Sequence, residues 1–397
     1  MYTIGIDLHK RESQRCIQTG DGVFVERRIA TTRERFTAVL APYAPARVLL
    51  EAATESEWVA RHLEAGGHTV IVADPNFAPM DATRSRRVKT DKRDARTRCE
   101  ACARGTYQAT HRLSEAQRHV RAELTVRETL VRTRTRCVAV IKAAVRRAGL
   151  RLSVGTPEHT ARKVAVLPLS DATRVEVAPL LALIALCTTQ IDEADDRLTV
   201  LAATSAPARL LQSMPMIGPV TALGFVAALD DIARFPSASH VAAYLGLVPS
   251  EYSSGERQQR GHITKRGDTR TRWLLVEAAW RIMRSKHPTV APRQHWTARI
   301  IARRGRRIAV AGSRSPDRDR GAGPPFGDAV LRHVAHEYPV SRDTSTARTS
   351  GGGRVTMHHH RLHRVDAGGD DRPDQETRPL TWPLVRPRCS LRSGVPV

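Results

Sequence analysis

Hydrophobic and polar residues alternate from the start of the chain. Tyr2, Ile4 and Ile6 fall on one side of an extended segment and Thr3, Gly5 and Asp7 on the other. That period of two predicts a strand over 2–7 that ends in an acid. Val48-Leu49-Leu50 predicts a second strand ending at Glu51, and Thr69 to Ala73 a third, followed by Asp74-Pro75-Asn76. Between these two, residues 56–65 carry helical spacing, and Gly66-Gly67 stops the helix. Strands alternating with helices predict an α/β sheet. In such sheets, sites of chemistry gather at the carboxyl ends of strands.

The pattern changes after residue 113. Ser114 reads as an N-cap, and Leu124, Leu130, Val138 and Val145 lie among many arginines, so one long helix is expected to run to about Gly149. A second is expected from Ala178 to Ala202, with Pro179 in its first turn. Two long helices joined by a loop predict a coiled-coil or helical-bundle insertion. Their arginines are either a solvated face or nucleic-acid contacts. Residues 207–285 read as largely helical. Met214 to Thr221 looks like half of a helix-hairpin-helix, whose turn amides grip a phosphate at a helix N-terminus, here at Gly218. Met216 stands where such a turn usually has its first glycine. A loop from Tyr244 to Asp268 and a helix over 270–283 follow. The expected organisation is 1–112, 113–205, 206–310 and a tail over 311–397. That tail has no amphipathic period and holds 10 Gly and 9 Pro, a composition that predicts disorder.

Composition sharpens this. A length of 397 residues suits two or three domains, at roughly 150 residues each. The 64 basic and 40 acidic residues leave a net charge of +24, which implies a polyanionic partner, most often nucleic acid. The tail, with 14 basic and 10 acidic residues, contributes little of that excess. Only seven of the basic residues are lysine, as a GC-rich gene would give, so single arginines are weak signals. No uninterrupted run of about 18 apolar residues predicts a membrane span, and the opening residues lack a signal-peptide core. Six scattered cysteines are no disulfide framework and suggest a reducing cytoplasm. Cys99-x-x-Cys102 is half of a zinc pattern without a second half, and packing is the simpler reading. His358 to His360 is read as plain composition rather than a metal tract.

Four acids are candidates for chemistry. Asp7 and Glu51 sit at expected strand ends, and Asp91 and Asp94 lie three apart in Lys89-Thr-Asp-Lys-Arg-Asp-Ala95, on one face of a helix. Acids converging in a basic protein suit a pair of Mg²⁺ or Mn²⁺ ions. Two such ions stabilise the attacking and leaving oxygens of a phosphodiester. The competing reading pairs each acid with an arginine or uses it as a helix cap. Lys89, Lys92 and Arg93 beside the acids are candidate backbone contacts. The second element is Tyr252-Ser253-Ser254-Gly255. Most loop serines only make turn hydrogen bonds, but Arg257, Arg260, Lys265 and Arg266 follow and suit flanking phosphates. A nucleophilic serine also needs activation by a base or metal, and His262 is near only in sequence.

Together these residues give a specific likeness. Ile4-Gly-Ile-Asp7, Leu50-Glu51-Ala, Lys89 to Ala95, Met216-Ile-Gly-Pro-Val-Thr, and Tyr244 to Gly255 through Ile263-Thr-Lys-Arg-Gly-Asp resemble IS110 family (IS116/IS110/IS902) transposases over roughly residues 1–310. The resemblance implies a RuvC-like RNase H fold with a DEDD acid set, a coiled-coil insertion and a C-terminal transposase domain carrying a serine. Carried over, the acids are Asp7, Glu51, Asp91 and Asp94, as ligands of Mg²⁺ or Mn²⁺, and the serine is Ser254 rather than Ser253. It also implies RNA-guided recombination of donor and target DNA through a phosphoserine link, in a dimer or tetramer, with no membrane partner and with a bacterial, nucleoid-associated location. The alternatives are a metal-dependent nuclease or junction resolvase using the acids alone, and an inactive nucleic-acid-binding remnant.

Two departures stand out. Glu51 is followed by Ala-Ala-Thr-Glu where the family usually has Ala-Thr-Gly. After Arg303-Arg-Gly-Arg-Arg-Ile-Ala-Val310, an apolar helix is expected but the sequence turns to Ala-Gly-Ser-Arg-Ser-Pro. The loss of period there fits a frameshift at about residue 310. Translation of the gene's other two frames is expected to restore an apolar helix at this point; two frames without one would remove the idea.

Overall fold

The computed structural model describes residues 1–77, 90–252, 254 and 260–304. Lys89, Ser253, Gly255, Arg257, Cys389, the His358–His360 run and the tail lie outside the described residues. The chain packs as two units, the first Met1–Ser114 and the second beginning at Glu115.

In the first unit the order is β1 (Tyr2–Asp7), β2 (Glu12–Gln18), β3 (Phe24–Ala30), α1 (Arg33–Leu40), β4 (Ala46–Glu51), α2 (Ser56–Ala65), β5 (Thr69–Ala73) and α3 (Asp91–Arg104). They form a five-stranded sheet in the order β3-β2-β1-β4-β5. β1 is parallel to β4, and β4 to β5, while β2 runs antiparallel to both β1 and β3. The strands at 2–7 and 69–73 and the helix over 56–65 fall where the pattern puts them. β2, β3 and α1 are additional.

Each sheet face has its own cover. Ile4, Ile6, Ile17, Val48 and Leu50 are buried with Phe36 and Leu40 of α1 and Val59 and Leu63 of α2. Burying each such side chain contributes about 1.5–3 kcal/mol. α3 covers the other face, where Cys16 packs with Ala95 and Cys99, and Leu49 with Ala101 and Cys102. The approach is closest at Gly5. A Cβ there would lie 2.2 Å from the Cys99 amide nitrogen and 2.3 Å from the Ala95 carbonyl oxygen. Both are helix backbone, which cannot step aside as a side chain can.

The second unit contains α4 (Glu115–Arg147), α5 (Thr160–Ala165), α6 (Asp171–Thr204), α7 (Ala206–Gln212), α8 (Pro219–Leu229), α9 (Ala238–Tyr244), the hairpin strands β6 (Pro249–Glu251) and β7 (Arg260–Ile263), α10 (Thr269–Arg284) and α11 (Ala291–Arg304). α4 and α6 are antiparallel, because Glu123 pairs with Arg197, Arg127 with Asp195, Arg134 with Thr188 and Arg147 with Glu176. One half of this pair encloses its own core of Cys137, Ile141, Val145, Val164, Leu169, Val177 and Ile184. The other half shares a core with the later helices, where Val120, Leu124, Leu198 and Ala202 pack with Leu211, Leu223, Phe225, Leu245 and Leu275.

Two expectations about α6 need correction. It starts at Asp171, not near Ala178, because the Ser170 hydroxyl caps it by accepting from the Thr173 amide. Pro179 therefore lies inside the helix. Its missing N–H would have served the carbonyl of Val175, a residue exposed to solvent, so the loss is tolerable. By length and composition α6 is also apolar enough to cross a membrane, although Thr188, Thr189 and Gln190 interrupt the continuous run that the sequence criterion requires. One such helix is weak evidence for a span.

Gly5→Ala is expected to push α3 off β1. Overpacking of this kind costs about 1–3 kcal/mol, and here the clash is with backbone. Hydrogen exchange across α3 measures it: faster exchange along Asp91–Arg104 is expected, and unchanged protection would contradict the close approach.

Candidate metal centre and serine hairpin

Asp7 ends β1 and Glu51 ends β4, and these neighbours are parallel with Ile6 opposite Leu50. Both acids therefore emerge at the same sheet end, on the face that α3 covers. The Thr90 hydroxyl caps α3 by accepting from the Arg93 amide. That places Asp91 and Asp94 in the first turn, where unpaired helix N–H groups favour negative charge. Asp91 is half-exposed and Asp94 is buried.

The ligand atoms of Asp7, His9 and Asp91 lie within 4.8 Å of one another. His9 Nε2 stands 3.2 Å from Asp7 Oδ2 and 3.5 Å from Asp91 Oδ1. Two carboxylates and an imidazole facing one point can hold a divalent ion such as Mg²⁺ or Mn²⁺. Glu51 and Asp94 are outside this group. Glu51 is tied to it through Arg98, whose Nη2 donates to Glu51 Oε2 while Nη1 lies 3.1 Å from Asp7 Oδ1. Arg98 is 6% exposed. Burial lowers its pKa and the adjacent Asp7 carboxylate acts to raise it.

His9 and Arg98 were not among the sequence candidates. Their sequence signal is position alone, which is weak. His9 is two residues past Asp7, and Arg98 follows Asp94 by four and Asp91 by seven, on the same helix stripe.

The basic candidates differ in their surroundings. Lys92 Nζ is 2.9 Å from Glu26 Oε2, so it already has an acidic partner, and Arg93 is exposed on α3. Several arginines of the long helices are likewise engaged internally. Arg134 is buried and donates to Glu158 at 2.8 Å, and Arg127 pairs with Asp195. Cys99 and Cys102 pack rather than ligate. A hydrogen bond with Cys16, then burial, pushes the Cys99 thiol up, and burial pushes Cys102 to about 11. Among the described residues, neither joins a group of three or more possible metal ligands.

Ser254 is exposed, in the segment linking β6 to β7, and Arg260 lies in β7. The base of this hairpin is fastened down. The Thr264 amide donates to the Val248 carbonyl at 2.8 Å, and that of Lys265 to Gly246 at 3.1 Å. Gly246 and Gly267 have φ of 67° and 82°, and a Cβ at Gly246 would sit 2.0 Å from the Arg266 carbonyl oxygen. Lys265 and Arg266 are exposed at this base. Asp268 caps α10 by accepting from the Arg270 and Thr271 amides. Arg270 ties α10 to α4 through Glu128 at 2.7 Å and Thr125 at 2.8 Å. The Thr-Lys-Arg-Gly-Asp motif is thus a turn and a cap that hold the hairpin. Gly218 is the N-cap of α8. Met216 just before it has φ of 68°, the left-handed conformation that glycine adopts without cost and that explains the usual glycine there.

Residues 4–149 match the transposase profile for DEDD domains of the IS110 type, and the α/β sheet unit is consistent with a RuvC-like fold. Residues 208–295 match the profile described as transposase IS116/IS110/IS902 family. The chain is 30% identical over 318 residues to a probable family 20 transposase of Pseudomonas aeruginosa, covering 76% of this chain and 90% of that protein. It is 27% identical over 327 residues to the transposase for insertion sequence element IS1111A of Coxiella burnetii, covering 79% and 87%. With the transposase for insertion sequence element IS1328 of Yersinia enterocolitica it shares 29% over 282 residues, covering 70% and 82%. The chain therefore belongs to the IS116/IS110/IS902 family of transposases, enzymes that process DNA.

Proposed function

We propose that this transposase breaks and rejoins DNA through a covalent serine link, at an active site made from the acids of the first unit and Ser254 of the second. The observation that carries the reading is the gathering of Asp7 and Asp91, with Glu51 linked through Arg98, at one end of the sheet. Ser254 Oγ attacks a DNA phosphorus, one P–O bond of the strand breaks, and a serine phosphodiester forms. The departing DNA oxygen takes up a proton in place of the one the serine gives up. In the second step a DNA hydroxyl attacks the phosphoserine and restores the serine. A divalent ion held by the acids supplies a Lewis acid for the phosphate oxygens. Asp7 and Asp91, with His9, would hold that ion, Glu51 would act through Arg98 and Asp94 from the same helix turn as Asp91, and Arg260, Lys265 and Arg266 engage phosphates on either side of the attacked one.

The serine and the acids belong to different packed units. The family resemblance supports a site assembled in an oligomer, with serine and acids from different protomers. The long helices are the natural coiled-coil contribution to such an assembly. The same resemblance supports a guide RNA that pairs with donor and target, the protein gripping backbones by charge. A second reading follows from the acids lying within one unit: that unit alone suits metal-dependent cleavage, as in a junction resolvase.

A covalent-adduct assay separates the two. Labelled element-end DNA, RNA transcribed from the element's non-coding flank and Mg²⁺ are mixed with the protein and run on a denaturing gel. A labelled protein band is expected for wild type and is expected to be absent from Ser254→Ala and Asp7→Asn. Cleavage that persists in Ser254→Ala contradicts the serine reading and supports the nuclease. For binding, Lys265→Ala and Arg266→Ala are each expected to lower the slope of log affinity against log salt by about 1. Unchanged slopes would remove these residues from the DNA contact.

A further inference from the structure

We propose that Arg98 is the resident cation of one half of the acid site, so that the site takes a single divalent ion on its other half, between Asp7, His9 and Asp91. This rests on the reading of the acids as a metal site. The two carboxylate oxygens of Asp7 face different partners. Oδ1 is 3.1 Å from Arg98 Nη1, and Oδ2 is 3.2 Å from His9 Nε2. Glu51, the other strand-end acid, is bonded to Arg98 through Nη2. One oxygen of each strand-end acid, Asp7 Oδ1 and Glu51 Oε2, is therefore already engaged by a positive charge.

Burial separates the two halves. The Arg98 side chain is 7% exposed, whereas those of His9 and Asp91 are 54% and 52% exposed. The His9 side is the more open to an ion from solvent, while on the other side Arg98 is buried and the Glu51 side chain is 30% exposed. The guanidinium is held by charge more than by directed bonds, since Nε and Nη1 have no well-aligned hydrogen-bond acceptor. A guanidinium stays protonated in proteins, and leaving it buried without carboxylates is strongly unfavourable. Arg98 and the two acids therefore hold each other in place. Four carboxylates with Arg98 and one divalent ion sum to a charge of −1. A second divalent ion would make the buried centre positive and set Arg98 against it. Arg98 is in this account a positioning residue that fixes Asp7 and Glu51 and limits metal occupancy.

The test is metal stoichiometry on the full-length protein, with Mn²⁺ as the probe, by calorimetric titration and by the paramagnetic resonance of bound Mn²⁺. Wild type and Arg98→Lys are expected to bind one ion per chain at the acids, lost in Asp7→Asn. Arg98→Leu is expected to bind two, with the spectral broadening of a coupled pair. Two ions in wild type, or one in both wild type and Arg98→Leu, overturns the role of Arg98 and leaves the metal reading intact. No ion in any variant overturns the metal reading and the inference together. Arg98→Leu removes the partner of two carboxylates, so its melting temperature is followed against Mn²⁺ and is expected to rise more than that of wild type. An equal or smaller rise counts against the proposal. If Arg98→Leu does not fold even with Mn²⁺, the ion count of wild type and Arg98→Lys decides: one supports, two overturns.

Discussion

The contact between α3 and β1 at Gly5 is the constraint on which the candidate centre depends. Helix backbone lies where a Cβ would be, so glycine alone lets α3 sit this low on the sheet. The first turn of α3 then reaches the carboxyl ends of β1 and β4, and Asp91 comes beside His9 while Arg98 meets Asp7 and Glu51. Small side chains along the seam, Ala95, Cys99, Ala101 and Cys102, keep the rest of the helix equally close. The CxxC spacing that suggests zinc is explained by this packing.

Electrostatics sets what the centre can do. Several carboxylates at one sheet end would repel one another strongly if left uncompensated. The protein answers with one fixed cation, Arg98, buried on the Glu51 side, and leaves the His9 side open. Elsewhere the large positive charge is partly consumed internally. Arg127, Arg134, Arg147 and Arg197 pair with acids across or beside the long helices, and Lys92 pairs with Glu26. The net charge of +24 is therefore a poor guide to which arginine meets nucleic acid. The exposed residues at the base of the serine hairpin, Lys265 and Arg266, remain better placed for that.

Alternation made β1 legible to the residue, the short apolar run after Thr69 did so for β5, and helical spacing with Gly66-Gly67 for α2. β2 was hidden because Glu-Ser-Gln-Arg-Cys-Ile-Gln is mostly polar, yet the structure buries Ser13, Gln14 and Arg15 in it. The start of α6 was misplaced because Pro179 reads as a helix opener, whereas the cap is Ser170. For the site, the acids are candidates from their strand-end and helix positions, and Ser254 only through the family resemblance. Arg98 could not be named, because an arginine in an arginine-rich chain carries little information until the fold buries it. His9 was equally quiet, one polar residue after a strand. Met216 departs from the usual glycine, and its left-handed backbone is the conformation glycine adopts without strain.

The central claim is that acids distant in sequence form one metal centre at the end of the sheet. Fe²⁺ substituted for the native ion, with ascorbate and peroxide, cuts polypeptide only near its binding site. Cleavage is expected near residues 7 to 9, 51 and 91 to 94, and is expected to be suppressed by excess Mg²⁺ and by Asp7→Asn. Cuts confined elsewhere, or cuts indifferent to Mg²⁺ and to Asp7→Asn, would contradict the account.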